Sequence, residues 1–134
     1  MAKVFYSCSF SGKAVPNTND VEDSFRKLVE EDLQNLRAQG HEVNCAVEAE
    51  GWKLGVVTPG EAVTRIVNEI NASDMLVARL ESEISAGVQW ELGYAFGKNI
   101  PVYLLPREGV ELTYWNRGLV EAKLVQEIQS IQKI

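Results

Sequence analysis

The most informative chemistry of the sequence lies in residues 85–95, where a carboxylate stands inside a predicted helix. Glu91 follows the bulky Trp90 and precedes Leu92 and Gly93. Glycine is a poor helix former, by about 1 kcal/mol relative to alanine, and is tolerated where another group must approach closely. A carboxylate one or two turns into such a helix can point back over strand ends. Glu91 is therefore a candidate functional residue, and the alternative is an ordinary solvated glutamate.

Strands and helices alternate along the chain around this segment. Apolar runs predict strands at 4–8, 43–47, 75–80 and 100–105, with only Arg79 breaking the third run. Helical spacing follows Val21, with Asp20 as a candidate cap and Gly40 as a stop. Thr58-Pro59-Gly60-Glu61 has the capping-box pattern of a second helix start. Further helices are predicted within 85–97 and at about 119–131.

This alternation predicts an α/β fold, a doubly wound (Rossmann-like, flavodoxin-like) parallel sheet of about five strands with helices on both faces. Residues 1–134 are expected to form a single domain, since the length is near the usual domain size. In such sheets ligands bind beyond the carboxyl ends of the strands. We expect three places to lie there: the loop after Cys8, the region around Asp74, and the turn from Leu80 into the Glu91 helix.

Composition narrows the classes of partner. The net charge of −6 argues against a nucleic-acid polymer, whose phosphates require clustered Lys and Arg. Cys8 and Cys45 lack CxxC spacing, so reduced thiols are expected rather than a disulfide or a metal site. No apolar run approaches the ~20 residues that span a bilayer, and the prediction is a cytoplasmic protein without membrane contact. A flavin or electron-transfer domain is disfavoured because no Gly-rich fingerprint follows the first strand.

Several segments together resemble the nucleoside 2-deoxyribosyltransferase superfamily, which includes N-glycosidases of nucleoside 5′-monophosphates. The resemblance covers most of the chain. It is carried by the first strand with its Ser/Gly loop, Gly40-His41-Glu42-Val43, Ala72-Ser73-Asp74 before an apolar strand, and Glu91-Leu92-Gly93-Tyr94-Ala95. The strongest motif is the glutamate within Gly-x-x-x-Glu-Leu-Gly.

The resemblance implies the roles of two carboxylates. Glu91 would be the nucleophile that attacks the anomeric carbon and forms a glycosyl-enzyme ester while the base departs. Asp74 would correspond to the second carboxylate, which hydrogen-bonds the base and helps to protonate it. From the residues alone, Asp74 could equally be an aspartate that simply begins a strand. No metal and no organic cofactor is required by this chemistry.

The residues around Ser85 distinguish substrates within the superfamily. Transferases acting on free nucleosides carry an aspartate two residues before the glycine that corresponds to Gly87, whereas this chain has Ser85 there. A hydroxyl and the free N–H groups of a helix start can accept a 5′-phosphate, which a carboxylate would repel. The substrate is therefore expected to be a nucleoside monophosphate rather than a nucleoside.

Two further segments resemble the nucleotide hydrolases, although their Ser, Thr and Gly residues also suit ordinary turns. Ser9, Ser11 and Gly12 belong to a loop like the phosphate-side loop of those enzymes. In the superfamily an arginine often stands where this chain has Ser11, and Lys13 is the nearby cation that would take its place. Thr113 matches a hydroxyl that reaches the phosphate of a neighbouring subunit, which implies a homodimer or higher homo-oligomer with shared active sites.

A residue of the first strand bears on whether the substrate carries ribose or deoxyribose. The superfamily often has a tyrosine where Phe5 stands, close to the nucleophile and the 2′ position. Its replacement is expected to leave room for a ribose 2′-hydroxyl, so that ribonucleotides such as CMP are tolerated or preferred. Candidates for stacking on the base are Trp52, Trp90 and Trp115.

Two other functions remain open from the sequence. A nucleoside 2-deoxyribosyltransferase would use the same Glu91 and Asp74, with a second base instead of water as the acceptor. A non-catalytic nucleotide-sensing module is the other alternative, because doubly wound folds host many functions. The retained pair of carboxylates argues against it.

Overall fold

One parallel sheet organises the computed structural model, which describes residues 1–9 and 12–134. Within those ranges five strands follow the order β2-β1-β3-β4-β5, and every neighbouring pair is parallel. The strands are β1 Lys3–Ser7, β2 Glu42–Cys45, β3 Met75–Leu80, β4 Val102–Pro106 and β5 Gln126–Glu127. The helices are α1 Asp23–Ala38, α2 Ala46–Ala49, α3 Pro59–Asn71, α4 Ala86–Gly97 and α5 Tyr114–Glu121.

Helices cover both faces of the sheet, and the alternation of side chains along β1 shows how. Val4 and Tyr6 pack in the core cluster that contains Phe25 of α1. Phe5 points to the opposite face, into the cluster formed by residues of α3, α4 and α5. Successive side chains of a strand project to opposite faces, so each face of β1 is buried by a different layer. The predicted doubly wound fold is confirmed.

One helix begins where the sequence pattern predicts, and another begins two residues later than predicted. The capping box at Thr58 and Glu61 opens α3 as predicted. The first helix begins at Asp23 rather than Val21. Val21 instead donates its backbone N–H to the carbonyl of Trp52 and forms a bridge with Ala14. Its side chain is buried in the core cluster that contains Phe25, and periodicity alone does not distinguish this burial from burial on a helix.

The predicted helix over 119–131 is wrong. After α5 the chain turns at Lys123, which has a positive φ of 60°, and continues as β5. Val125 is buried on the α4 face of the sheet, whereas Ile128 and Ile131 are buried on the α1 face. A helix presents one apolar stripe to one layer, so residues that serve both faces need an extended segment. The fifth strand of the sheet comes from this segment.

The carboxyl ends of β1 and β3 define the edge at which α4 begins. Ser7 ends β1 and pairs with Ala78, close to the end of β3. The chain leaves β3 at Leu80 and enters α4 at Ala86, so the first turns of α4 lie above this edge. In residues 1–9 and 12–134, no helix has both the length and the apolar character that a membrane crossing requires.

Candidate active site

A partly buried carboxyl group joins α4 to the end of β1. Val88, Leu92 and Ala95 of α4 face the sheet, and Glu91 lies beside this stripe, where its carboxyl reaches the strand. Ser7 Oγ donates a hydrogen bond of 2.5 Å to Glu91 Oε1. Glu91 is thus held over the sheet and is not a solvated surface residue.

The surroundings of Glu91 change its acidity. Burial raises the pKa of the carboxyl from 4.5 to about 7, the hydrogen bond from Ser7 acts in the opposite direction, and the negative charge of Glu69 adds to the rise. Desolvation disfavours a charged group, while a donor to the carboxylate favours it. At neutral pH the ionised and protonated forms are therefore present in comparable amounts. The ionised form can act as a nucleophile.

The start of α4 forms one wall of a cavity at the same edge. Ser85 is the N-cap, and its Oγ accepts a hydrogen bond of 3.3 Å from the backbone N–H of Val88. Gly87 lies in the first turn, where an added side chain would approach only Ser85 Oγ, at 3.9 Å. The cavity is small, with a volume of about 30 Å³, and is lined by Ser9, Ser85 and Thr113, among others. Three of the predicted binding residues are thus brought together.

The opposite wall is α5, and a pair of amides fixes it against α4. Gln89 and Asn116 exchange two hydrogen bonds of 3.1 and 3.0 Å. Thr113 caps α5 by accepting from the backbone N–H of Asn116, and it faces the cavity of its own chain. Its contact with a neighbouring subunit stays a prediction.

The rim of the cavity carries charges of both signs. Glu81, Glu83 and Glu111 line it together with Arg79. Arg79 is buried and pairs with Asp32 of α1 through two hydrogen bonds of 2.9 and 2.7 Å. Tyr6 also donates to Asp32, at 2.5 Å. This network crosses to the α1 face of the sheet and holds α1 against β3.

The structure does not bring Asp74 to Glu91, and the prediction that Asp74 lies at the carboxyl edge is wrong. Asp74 precedes β3, and its Oδ2 accepts a hydrogen bond of 2.8 Å from the backbone N–H of Lys3 at the start of β1. Ser7, the partner of Glu91, ends that strand four residues later, about 13 Å further along at 3.3 Å per residue. Asp74 therefore caps the opposite edge of the sheet, where it cannot protonate a base leaving from Glu91.

The remaining predicted residues have different positions. Phe5 is fully buried, two residues before Ser7 and on the same face of β1. Gly12 is exposed, and Ser11 lies outside the described residues. Trp52 is buried in the α1-side core, so it is not available to stack on a base near Glu91. Trp90, by contrast, is half-exposed and stacks on Tyr94 with ring centroids 5.8 Å apart.

Sequence reasoning missed Ser7, which touches the candidate nucleophile. A polar residue that ends an apolar strand at the ligand edge was the available signal. It also noted Arg79 only as an interruption of β3, although a lone cation in a buried strand requires a buried anion such as Asp32. In the part of the chain that the structure describes, no group of three or more His, Cys, Asp or Glu is arranged to hold a metal ion.

Comparisons with known proteins bear on the family of the chain. A family model described as nucleoside 2-deoxyribosyltransferase matches residues 60–124, from the first turn of α3 to just beyond α5. No curated protein sequence matches the chain significantly. The family match, with the similar structures described next, confirms the resemblance to the nucleoside 2-deoxyribosyltransferase superfamily. Its members are enzymes that act on N-glycosidic bonds of nucleosides and nucleotides.

Three solved structures are similar over nearly the whole chain. The CMP N-glycosidase BcmB of Clostridium botulinum is 21% identical, with a TM-score of 0.67 over 94% of this chain and 86% of that chain. The 2-deoxyribosyltransferase of Bacillus psychrosaccharolyticus is 17% identical, with a TM-score of 0.72 over 98% and 89%. The solution structure of BlsM is 28% identical, with a TM-score of 0.71 over 98% and 83%. At 21% and 17% identity, the first two likenesses establish the shared fold and nothing finer.

Proposed function

We propose that the protein hydrolyses the N-glycosidic bond of nucleoside 5′-monophosphates and releases the free base and a sugar 5-phosphate. The observation that carries this proposal is the partly buried carboxyl of Glu91, which accepts a hydrogen bond from Ser7. It stands on the helix whose start lines the cavity at Ser85. Glu91 stands six residues after Ser85, about 9 Å along the helix axis at 1.5 Å per residue. That span suits a pentose with its anomeric carbon at Glu91 and its 5′ end at Ser85.

The reaction proceeds in two displacements. A carboxylate oxygen of Glu91 attacks the anomeric carbon, the carbon–nitrogen bond breaks, and its electron pair leaves with the base, which takes a proton from water. Water then attacks the same carbon, the ester bond to Glu91 breaks, and the carboxylate is regenerated while the proton goes to solvent. Two substitutions at one centre retain its configuration. Ser7 stabilises the ionised form of Glu91 before each turnover.

The 5′-phosphate is supported by the start of α4. Ser85 caps the helix and lines the cavity, and helix N-termini favour anions. BcmB, which shares the fold, is named a CMP N-glycosidase. A ribonucleotide is supported by Phe5, which offers no hydroxyl on the face of β1 that carries Ser7. We therefore expect ribonucleotides to be hydrolysed at rates comparable to or above those of their deoxy counterparts.

A homo-oligomer with shared active sites belongs to the same proposal. Tyr114 and Trp115 are largely exposed at the start of α5, directly after the cavity residue Thr113. Trp90 is exposed on the neighbouring α4. Aromatic residues are enriched in subunit interfaces, so this surface is where a second copy would complete the cavity. Sedimentation of wild type and Trp115→Ala would show whether the copies separate.

A second candidate is base exchange between nucleosides, as in the 2-deoxyribosyltransferase that shares the fold. The observation that favours it is the acidic rim, since Glu83 and Glu111 line the cavity beside Ser85. Carboxylates accept a hydrogen bond from a 5′-hydroxyl but repel a phosphate. Both carboxylates are exposed, so dissolved ions screen their repulsion of a phosphate. For this reason hydrolysis of monophosphates is the function that we propose first.

Product analysis by liquid chromatography separates the two candidates. The protein is incubated with ribo- and deoxyribonucleoside monophosphates, and then with deoxynucleosides plus a second free base. Base and sugar phosphate released by wild type and by the surface control Glu31→Gln, but not by Glu91→Gln, are expected. A new nucleoside formed only in the presence of the second base would show a transferase, and turnover by Glu91→Gln would remove Glu91 from the mechanism.

A further inference from the structure

The cavity at the start of α4 is smaller than the group that the proposed function places there. Its volume is about 30 Å³, which is roughly the share of one water molecule in the liquid. A phosphate carries three terminal oxygens, each about as large as a water oxygen, so it needs more than this space. A substrate whose 5′ end enters at Ser85 must therefore move one of the walls.

Of the two helices that wall the cavity, α5 is the less firmly packed. The longer α4 buries three apolar side chains against the sheet. The one buried residue of α5 is polar, Asn116, while Leu119 and Val120 are only partly buried against the core. Burial of apolar surface supplies most of what fixes a helix in a fold. Movement of α5 therefore costs less than movement of α4.

Two amide side chains, the Gln89–Asn116 pair, hold α5 against α4. Gln89 Nε2 donates to Asn116 Oδ1, and Asn116 Nδ2 donates to Gln89 Oε1. In the part of the chain that the structure describes, no other hydrogen bond joins these two helices. Asn116 is only 2% exposed, so its amide would be buried without a partner if Gln89 were removed and α5 stayed in place. The pair thus favours the closed position of α5.

Both amides also line the cavity whose walls they hold together. Each amide has two N–H donors, and the pair uses one donor from each side chain. Thr113 caps α5 and lines the same cavity, so its hydroxyl moves with the helix. A ligand that separates α5 from α4 would therefore meet amide and hydroxyl groups able to hydrogen-bond to it, which offsets the loss of the pair.

We propose that the Gln89–Asn116 pair is a latch, which holds α5 against α4 in the free protein and separates when the 5′ end of the substrate enters the cavity. The identity of that ligand rests on the proposed function. Because the closed position predominates without ligand, the measured affinity is reduced by the small population of the open one. Gln89 and Asn116 are thus positioning residues, which act on binding through the position of α5.

The test is calorimetric titration of the whole chain with ribose 5-phosphate. Gln89→Ala and Gln89→Leu both break the latch, so each is expected to lower the Kd by about fivefold, whereas loss of a merely structural contact would not tighten binding. Leucine nearly keeps the volume of glutamine, so a gain from space alone would appear only with alanine. The matched control is Gln39→Leu, with an unchanged Kd, because Gln39 also bonds a distant segment, at the Ile131 carbonyl. Circular dichroism verifies that each variant is folded.

The outcomes separate this inference from the proposed function. An unchanged or higher Kd in both Gln89 variants, a fall with alanine alone, or an equal fall in Gln39→Leu would overturn the latch, while base release from monophosphates by wild type would still support the glycosidase. Failure of wild type to bind ribose 5-phosphate would also overturn the latch. A lower Kd in both Gln89 variants, without base release from any nucleotide, would support the latch and reject the glycosidase.

Discussion

Replacing Glu91 by glutamine is expected to remove the pH dependence that the Glu91 carboxyl gives to the free energy of unfolding. In the folded protein, burial raises the pKa of Glu91 from 4.5 to about 7. Between these pH values the unfolded chain loses the proton while the folded chain keeps it. Stability falls with rising pH wherever the folded state binds more protons. The stabilisation is therefore fully present below pH 4.5 and is lost as the pH rises through about 7.

The magnitude follows from the same two pKa values. Their difference is about 2.5 pH units, and at about 1.36 kcal/mol each this gives roughly 3 kcal/mol of destabilisation at pH 8 relative to pH 4. Glutamine cannot ionise, but its amide oxygen still accepts the hydrogen bond from Ser7. The difference in unfolding free energy between Glu91→Gln and wild type is thus expected to rise by about 3 kcal/mol across this range.

Urea denaturation at a series of pH values from 4.5 to 8.5 measures this difference directly, provided that the slopes of the two proteins agree. Glu31→Gln, at an exposed position of α1, is the control for removing a carboxylate from the surface. A difference between Glu91→Gln and wild type that stays constant with pH would refute the reasoning, because it would mean that Glu91 titrates in the folded protein as an exposed glutamate does.

Two further predictions concern the neighbours of the candidate site. Ser7→Ala removes the hydrogen bond that lowers the pKa of Glu91, so kcat/KM is expected to fall by about tenfold at pH 7 and its rise with pH to move above 7; an unshifted pH profile, equal to that of Ser24→Ala, would contradict this. Asp74→Asn is expected to leave kcat within about twofold of wild type, because Asp74 binds the Lys3 N–H at the opposite edge; a hundredfold loss in a folded variant would return it to the active site.

The sequence predicted the elements that local chemistry specifies. The capping box before α3 and the alternation of strands with helices follow from neighbours in the chain, and they suffice for the doubly wound fold. The helix predicted over 119–131 was wrong because that prediction also used local spacing alone. Its apolar spacing fits a helix locally, but Val125 and Ile128 are buried on opposite faces of the sheet, which only the position of the sheet determines.

The residues of the candidate site were likewise identified only in part from the sequence. A glutamate between large apolar residues and a following glycine identified Glu91 from the sequence. Its partner Ser7 is 84 residues away, and only strand order decides that the end of β1 lies beneath α4. Asp74 shows the converse: it precedes the strand predicted at 75–80, so chain order in a parallel sheet already placed it at the amino edge, and the structure agrees with that order rather than with the expected site. Local sequence therefore determined most of the elements and the candidate residue Glu91. The tertiary structure decided which groups meet at one edge, because those contacts join residues far apart in the chain.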